Sequence, residues 1–297
     1  MQIPLAVIVL FLSSVGWGLT WLPLKALNEM GLDSLQLILI AFVSAAIVVS
    51  PWLFKQYASW KKQLGLMLLI GLTGGFANTS FQAAIYHGDV VRVMILFYML
   101  PVWSVLGGRL ILKEKIDRLR AIAVLLCLAG AFIILDVWQT SWSSISWIDL
   151  MALGSGFGLS MTIILFRLAQ HIPLMSKVSA VFIGCSLLTG LTISLTPLTT
   201  ASIPPNALIW TVLYGALWLT LITIGTQWAV TRMEAGRSAV IIVMELVTAV
   251  VSTAILTGAS LDWAEITGGL MVLSAAIMEG SRPEDTPPVH AKDSLTG

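Results

Sequence analysis

The sequence predicts an all-α integral membrane protein, with ten transmembrane helices arranged as two inverted five-helix repeats. Three observations carry this. The 297 residues are 58% hydrophobic and only 10% charged, against roughly 25% charged in a soluble domain whose surface must be wetted. Ten apolar runs follow one another, each near the roughly 20 helical residues needed to cross a hydrocarbon core. Lysine and arginine concentrate on alternate connections between the runs, as orientation by positive charge requires. A net charge of +1 provides no basic face, which argues against nucleic acid as a partner.

The first run, 3–26, has no basic stretch ahead of it and exceeds signal-peptide length, so it is expected to remain as an uncleaved span. NEMGLD ends it, and the second run covers 33–54. KQYASWKK leads into the third at 63–86, HGD into the fourth at 90–112, and KEKIDRLR into the fifth at 119–137. DVWQTSWSSISW precedes the sixth at 147–169, and its Trp138, Trp142 and Trp147 suit a membrane interface. AQHIPL, TPLTTASIPPN, RMEAG and TGASLDWAE then separate the runs at 176–196, 207–232, 237–256 and 264–281. Each break holds the Pro, Gly, Asn or charge that stops or starts a helix. Cys127 and Cys185 both lie inside apolar runs; they read as small buried hydrophobes, although a pairing is open. Residues 282–297 are polar and contain proline, and are expected to form a disordered cytoplasmic tail.

With the amino terminus inside, fourteen of the sixteen lysines and arginines fall on inner segments, and only Lys25 and Arg92 lie outside. Removing or adding a span would scramble this alternation. The expectation is a multi-pass protein of the cell inner (plasma) membrane with both termini cytoplasmic.

A displacement of 145 residues places Gln82 on Gln227, Ala84 on Ala229, Asp89 on Glu234, Arg92 on Arg237 and Asp117 on Asp262. A displacement of 140 places GWGLTW (16–21) on GFGLSM (156–161). The two halves, 1–137 and 138–281, thus read as a repeat of five spans each. Five is odd, so the second half must be inverted relative to the first. The connections agree: RLILKEKIDRLR is rich in positive charge, and its counterpart ILTGASLDWAE has none. Inverted repeats can rock about a shared central site, opening it to either face in turn. The paired Gly-aromatic-Gly patches are expected to let backbones approach closely, with the rings either lining the cavity or packing between helices.

Two stretches, LPVWSVLGGRLILKEKIDRLRAIAVLLCLAGAFIIL and MELVTAVVSTAILTGASLDWAEITGGLMVLSAAI, resemble the drug/metabolite transporter superfamily, and its EamA-type exporters in particular. The resemblance implies ten helices in two inverted halves, each with a mid-helix proline and an acid just after that helix. Pro101 and Glu114 match this pattern in the first half. In the second, Glu245 matches an acid often found in that helix, but the following proline is absent and Ala259 replaces the terminal acid. The resemblance further implies outward movement of small metabolites, amino acids or drug-like molecules, coupled to ion or proton gradients.

Glu245 is the sharpest candidate. It lies about eight residues into its span, hence about 12 Å deep at about 1.5 Å per residue. Placing a charged group mid-span costs around 3 kcal/mol on insertion scales. Such a carboxyl either recognises a proton or cation as access alternates or serves as a hydrogen-bonded strut between helices. The candidate substrate-binding residues are Trp17, Trp21, Asn78, Gln82, Tyr98 and Gln227. Gln82 and Gln227 could face one another across the repeat axis, or equally make interhelical hydrogen bonds. Ser160, Thr162, Thr226, Met99, Trp103, Trp218 and Trp228 are weaker cavity candidates. Asp89 and Glu234 are expected to sit at helix N-termini, each three residues ahead of an arginine.

The three histidines are far apart and lack ligand spacing, and no phosphate-gripping glycine motif is present, so no metal, cofactor or ATP engine is expected. The function expected is therefore gradient-driven secondary transport of a small organic solute, outward, by alternating access, with a proton or another coupling ion. An intramembrane enzyme acting on a lipid-linked substrate, or a non-transporting scaffold, are the rivals from other classes.

Overall fold

The structure is a computed structural model describing residues 4–32, 34–140, 142, 144–195 and 203–283. The tail expected to be disordered lies, beyond Pro283, outside the described residues. Ten helical rods follow in order: α1 Leu5–Glu29, α2 Ser34–Lys55, α3 Tyr57–His87, α4 Val90–Ile111, α5 Arg118–Ile134, α6 Trp147–Leu168, α7 Leu174–Leu195, α8 Pro205–Val230, α9 Ala235–Thr257 and α10 Trp263–Gly280. No strand occurs among the described residues. Eight of the rods are long and apolar enough to cross a bilayer. The other two fall short of that measure: α5 has 17 residues, and the 18 of α10 include Glu265 and Glu279.

Several helices start where the sequence supplies a capping side chain. Asp117 and Asp262, matched by the 145-residue displacement, both cap their helices, accepting the backbone N–H groups of Arg120 (2.8 Å) and Glu265 (2.7 Å). Ser146 and Asp149 form a reciprocal capping box at the start of α6.

The packing follows a pattern of exchange. α5 lies along α10, α2 along α7, and α4 against α9. α3 packs on α6 and α7, and α8 packs correspondingly on α1 and α2. α6 packs on α4, and α1 on α9. Swapping the first five helices for the last five returns these main pairings. Small residues allow the closest crossings. Where α5 meets α10, a Cβ added to Gly130 would lie 2.6 Å from the carbonyl oxygen of Gly268. Where α3 meets α7, a Cβ on Gly184 would overlap the carbonyl oxygen of Gly71. Cys127 and Cys185 are free and buried, so the packing reading holds and the pairing does not.

Candidate functional site

Helices α1, α4 and α9 are interrupted in the body of the bundle, and these interruptions meet. α1 breaks between Leu5–Gly18 and Trp21–Glu29, α4 between Val90–Phe97 and Leu100–Ile111, and α9 between Ala235–Ile242 and Met244–Thr257. Pro101 accounts for the break in α4, because it has no N–H to give and favours the first turn of a new helix. The break in α9 falls at the matched place without a proline. Tyr98 closes the first segment of α4, and Glu245 lies in the first turn of the second segment of α9. The Tyr98 hydroxyl donates to Glu245 Oε1 at 3.2 Å. Orphan N–H groups at the start of a helix segment favour a carboxylate there.

The GWGLTW patch brings α1 to this junction. A Cβ on Gly18 would overlap the carbonyl oxygen of Glu245, and one on Gly16 would lie 2.6 Å from Ile222 Cγ2. In the copy, a Cβ on Gly156 would lie 2.5 Å from the carbonyl oxygen of Phe97. Each patch thus lets a backbone touch the carbonyl beside the break of the facing helix. The rings do not stand free of the protein: Trp17 Nε1 donates to Thr226 Oγ1 on α8 at 3.1 Å, and Trp21 Nε1 to Ser252 Oγ on α9 at 3.0 Å. Trp17 and Trp21 thus lie on either side of Gly18, whose Cα approaches the Glu245 backbone, while their N–H groups are spent on α8 and α9. Ser252, the partner of Trp21, carries no motif that could have flagged it.

The other candidates make no hydrogen bond with Tyr98 or Glu245 among the described residues. Asn78 Nδ2 donates to the carbonyl of Gly74 within its own helix, at 2.9 Å. Gln82 is half-buried on α3. Gln227 is buried on α8, with Oε1 lacking a hydrogen-bond partner. No hydrogen bond joins the two glutamines. The helices that carry them are packed chiefly on other neighbours, α3 on α6 and α7, α8 on α1 and α2. Ser160 Oγ lies 3.0 Å from the carbonyl oxygen of Leu100, which ties α6 to the break in α4.

One end of the bundle is fastened by ions. Arg120, 1% exposed, pairs with Glu234 at 2.5 Å and with the fully buried Glu279 at 3.3 Å. Arg282 holds Asp117 at 2.6 Å, and the Asp117 carboxyl is lowered to about 2, chiefly by that hydrogen bond. Glu234 occupies the N-cap position of α9 without capping it, because its carboxylate goes to Arg120. The cap comes instead from Glu114, in the α4–α5 connection, whose Oε2 accepts the Ala235 N–H at 3.0 Å. Glu114 Oε1 also lies 2.9 Å from Arg167 Nε. At the opposite end Asp89 caps α4 through the Arg92 N–H, and the Arg92 guanidinium reaches across to both oxygens of Asp149 at 2.6 Å.

Burial pushes the Glu114 carboxyl up from 4.5 to about 7, against the opposing pull of Arg167 and the Ala235 N–H. A carboxyl raised in the folded state contributes stability that is present below about 4.5 and is lost as pH rises through about 7. Between those values the native protein should lose stability relative to Glu114→Gln, which does not titrate. Parallel unfolding curves for the two proteins across that window would remove Glu114 as the cause.

The chain's relatives agree with this architecture. Residues 4–136 match the EamA-like transporter family. A protein described as an uncharacterized transporter, YojE, from Bacillus subtilis (strain 168) is 33% identical over 162 residues. That alignment covers 52% of this chain and 53% of YojE, so the chain spans about half the length of the curated relative it matches. A solved crystal structure of a protein 14% identical in sequence superposes with a TM-score of 0.73, covering 94% of this chain and 98% of the other. That likeness speaks to the fold, and it extends over both halves. The resemblance to the drug/metabolite transporters read from the sequence agrees with this: residues 4–136 match the EamA-like transporter model.

Proposed function

We propose that the protein is a gradient-driven carrier exporting a small organic solute by alternating access, its two five-helix halves lying inverted in the cell inner membrane with both termini cytoplasmic. The exchange of helix pairings between the halves supports the inversion, and the skew of lysine and arginine supports the orientation. The observation that carries the reading is the meeting of the interrupted helices at Tyr98 and Glu245. Discontinuous helices at mid-depth are where carriers expose main-chain groups and helix ends to a solute or coupling ion. Here the solute's polar group would displace the Tyr98 hydroxyl from Glu245, and Trp17 and Trp21 would form the aromatic wall. Exchange of a proton or cation at Glu245 would then bias which face is open. Amino acids and amine-bearing drug-like molecules are the class that a carboxylate with indoles on the adjoining helix receives best.

The test is solute flux in vesicles containing the purified protein, with and without a pH gradient, beside Glu245→Gln and Tyr98→Phe. Glu245→Gln should abolish gradient-driven accumulation while leaving the protein folded, and Tyr98→Phe should weaken solute binding and spare the coupling. Accumulation undiminished in Glu245→Gln overturns the role of this carboxyl. Absence of flux for every amine and amino acid, in protein shown to be folded, overturns the proposed substrate class.

A further inference from the structure

The ion-fastened end of the bundle contains a cavity of about 440 Å³ that the carrier reading leaves unused. Its walls are the α6–α7 connection with the start of α7, and the connection between α8 and α9. Arg167, Gln170, His171, Lys177, Thr231 and Arg232 provide its polar lining, and no carboxylate lines it. The Lys177 side chain is buried, 1% exposed. Its ammonium donates to the carbonyls of Phe166 and Ala169, each at 3.0 Å, and faces Thr231 Oγ1 at 3.5 Å. These groups accept its protons but supply no counter-charge. Arg232 is folded over the Trp228 ring, 4.0 Å from its centroid, with one N–H donated to the Trp228 carbonyl at 2.9 Å. Arg167 is balanced by Glu114. Among the described residues neither Lys177 nor Arg232 has a carboxylate within ion-pair distance.

Two basic side chains, Lys177 buried and Arg232 exposed, and a histidine thus face one space whose lining holds no acid. An anion entering it would be drawn by the arginine and would favour the charged form of the lysine beneath. We propose that this cavity binds a phosphate group. The Arg232 fork, with its remaining donors unengaged, offers the directed contacts that phosphate takes, and Lys177 supplies charge from below. Gln170 and His171 stand at the entrance. The volume exceeds what inorganic phosphate fills and suits a group of headgroup size. Basic pockets between spans at the positively charged end of a membrane protein are suited to anionic phospholipid headgroups, and a free phosphorylated anion from the adjoining water has the same chemistry. The site is independent of the solute junction at Glu245, so transport can fail as a reading without affecting it.

The test uses the full chain purified in detergent and stripped of lipid, with the unfolding temperature as readout. The additions are inorganic phosphate against chloride at equal ionic strength, and phosphatidylglycerol against phosphatidylcholine. Stabilisation by phosphatidylglycerol alone assigns the site to a headgroup, and stabilisation by inorganic phosphate assigns it to a free anion. In either case Arg232→Gln, at an exposed position, should weaken the apparent affinity about tenfold. His171→Gln serves as a second rim variant if the first folds poorly. Equal unfolding temperatures with every addition, or a stabilisation that both variants retain in full, overturns the proposal.

Discussion

Replacing Arg120 by methionine is expected to destabilise the folded protein by about 3–5 kcal/mol, the range for removing one partner of a buried ion pair. Arg120 is 1% exposed and lies between Glu234 on one side and Glu279 on the other. Methionine fills much of the same space, so the loss is of charge rather than volume. Glu279, fully buried, would keep only Arg282 at 3.6 Å. A carboxylate held there without its main counter-charge is the costly outcome, because water cannot reach it. Denaturant unfolding of the detergent-solubilised protein measures the effect. Adding Glu279→Gln to the arginine variant should recover part of the loss, since the group left unpaired is then neutral. A single variant as stable as the native protein would show that α5, α9 and α10 are held by their apolar contacts alone.

Gly184→Val is the second large effect. The α3–α7 crossing places Gly184 directly against the Gly71 carbonyl, and Gly75 against Gly184 in turn. The obstacle is main chain, which cannot rotate aside as a flexible side chain would. Even alanine should cost about 1–3 kcal/mol here, and valine more, as the helices are forced apart. Gly65, near the start of α3, provides the control: a Cβ there meets nothing within 4 Å, so Gly65→Ala should leave the unfolding midpoint unchanged or slightly raised. Equal effects at the two positions would mean that α3 and α7 are not in close contact in the folded protein.

Much of the architecture was legible because lipid restricts the options. The apolar runs, their order and the match of Asp117 with Asp262 read directly from the chain; that both residues cap helices emerged with the structure. The break in α4 was legible through Pro101; its counterpart in α9 was not, because no residue there marks it. Tyr98 and Glu245 were each legible as polar groups at unusual depth, but their contact depends on how two helices rotate, which spacing along one helix does not encode. Gln82 and Gln227 illustrate the same limit, being matched in sequence without being joined in space. Glu234 was expected at a helix start and is there, yet Arg120 diverts its carboxylate and Glu114 takes over its task. Such exchanges between residues over a hundred positions apart arise only once the ends are assembled.

That substitution at the start of α9 bears on how the molecule would move. The cap is lent by the opposite half of the chain, so drawing α9 away from the α4–α5 elbow uncovers a main-chain donor and separates Glu114 from the Ala235 amide in the same stroke. A latch of this sort favours shut or released over any posture between, so that end would part in jumps rather than by gradual yielding.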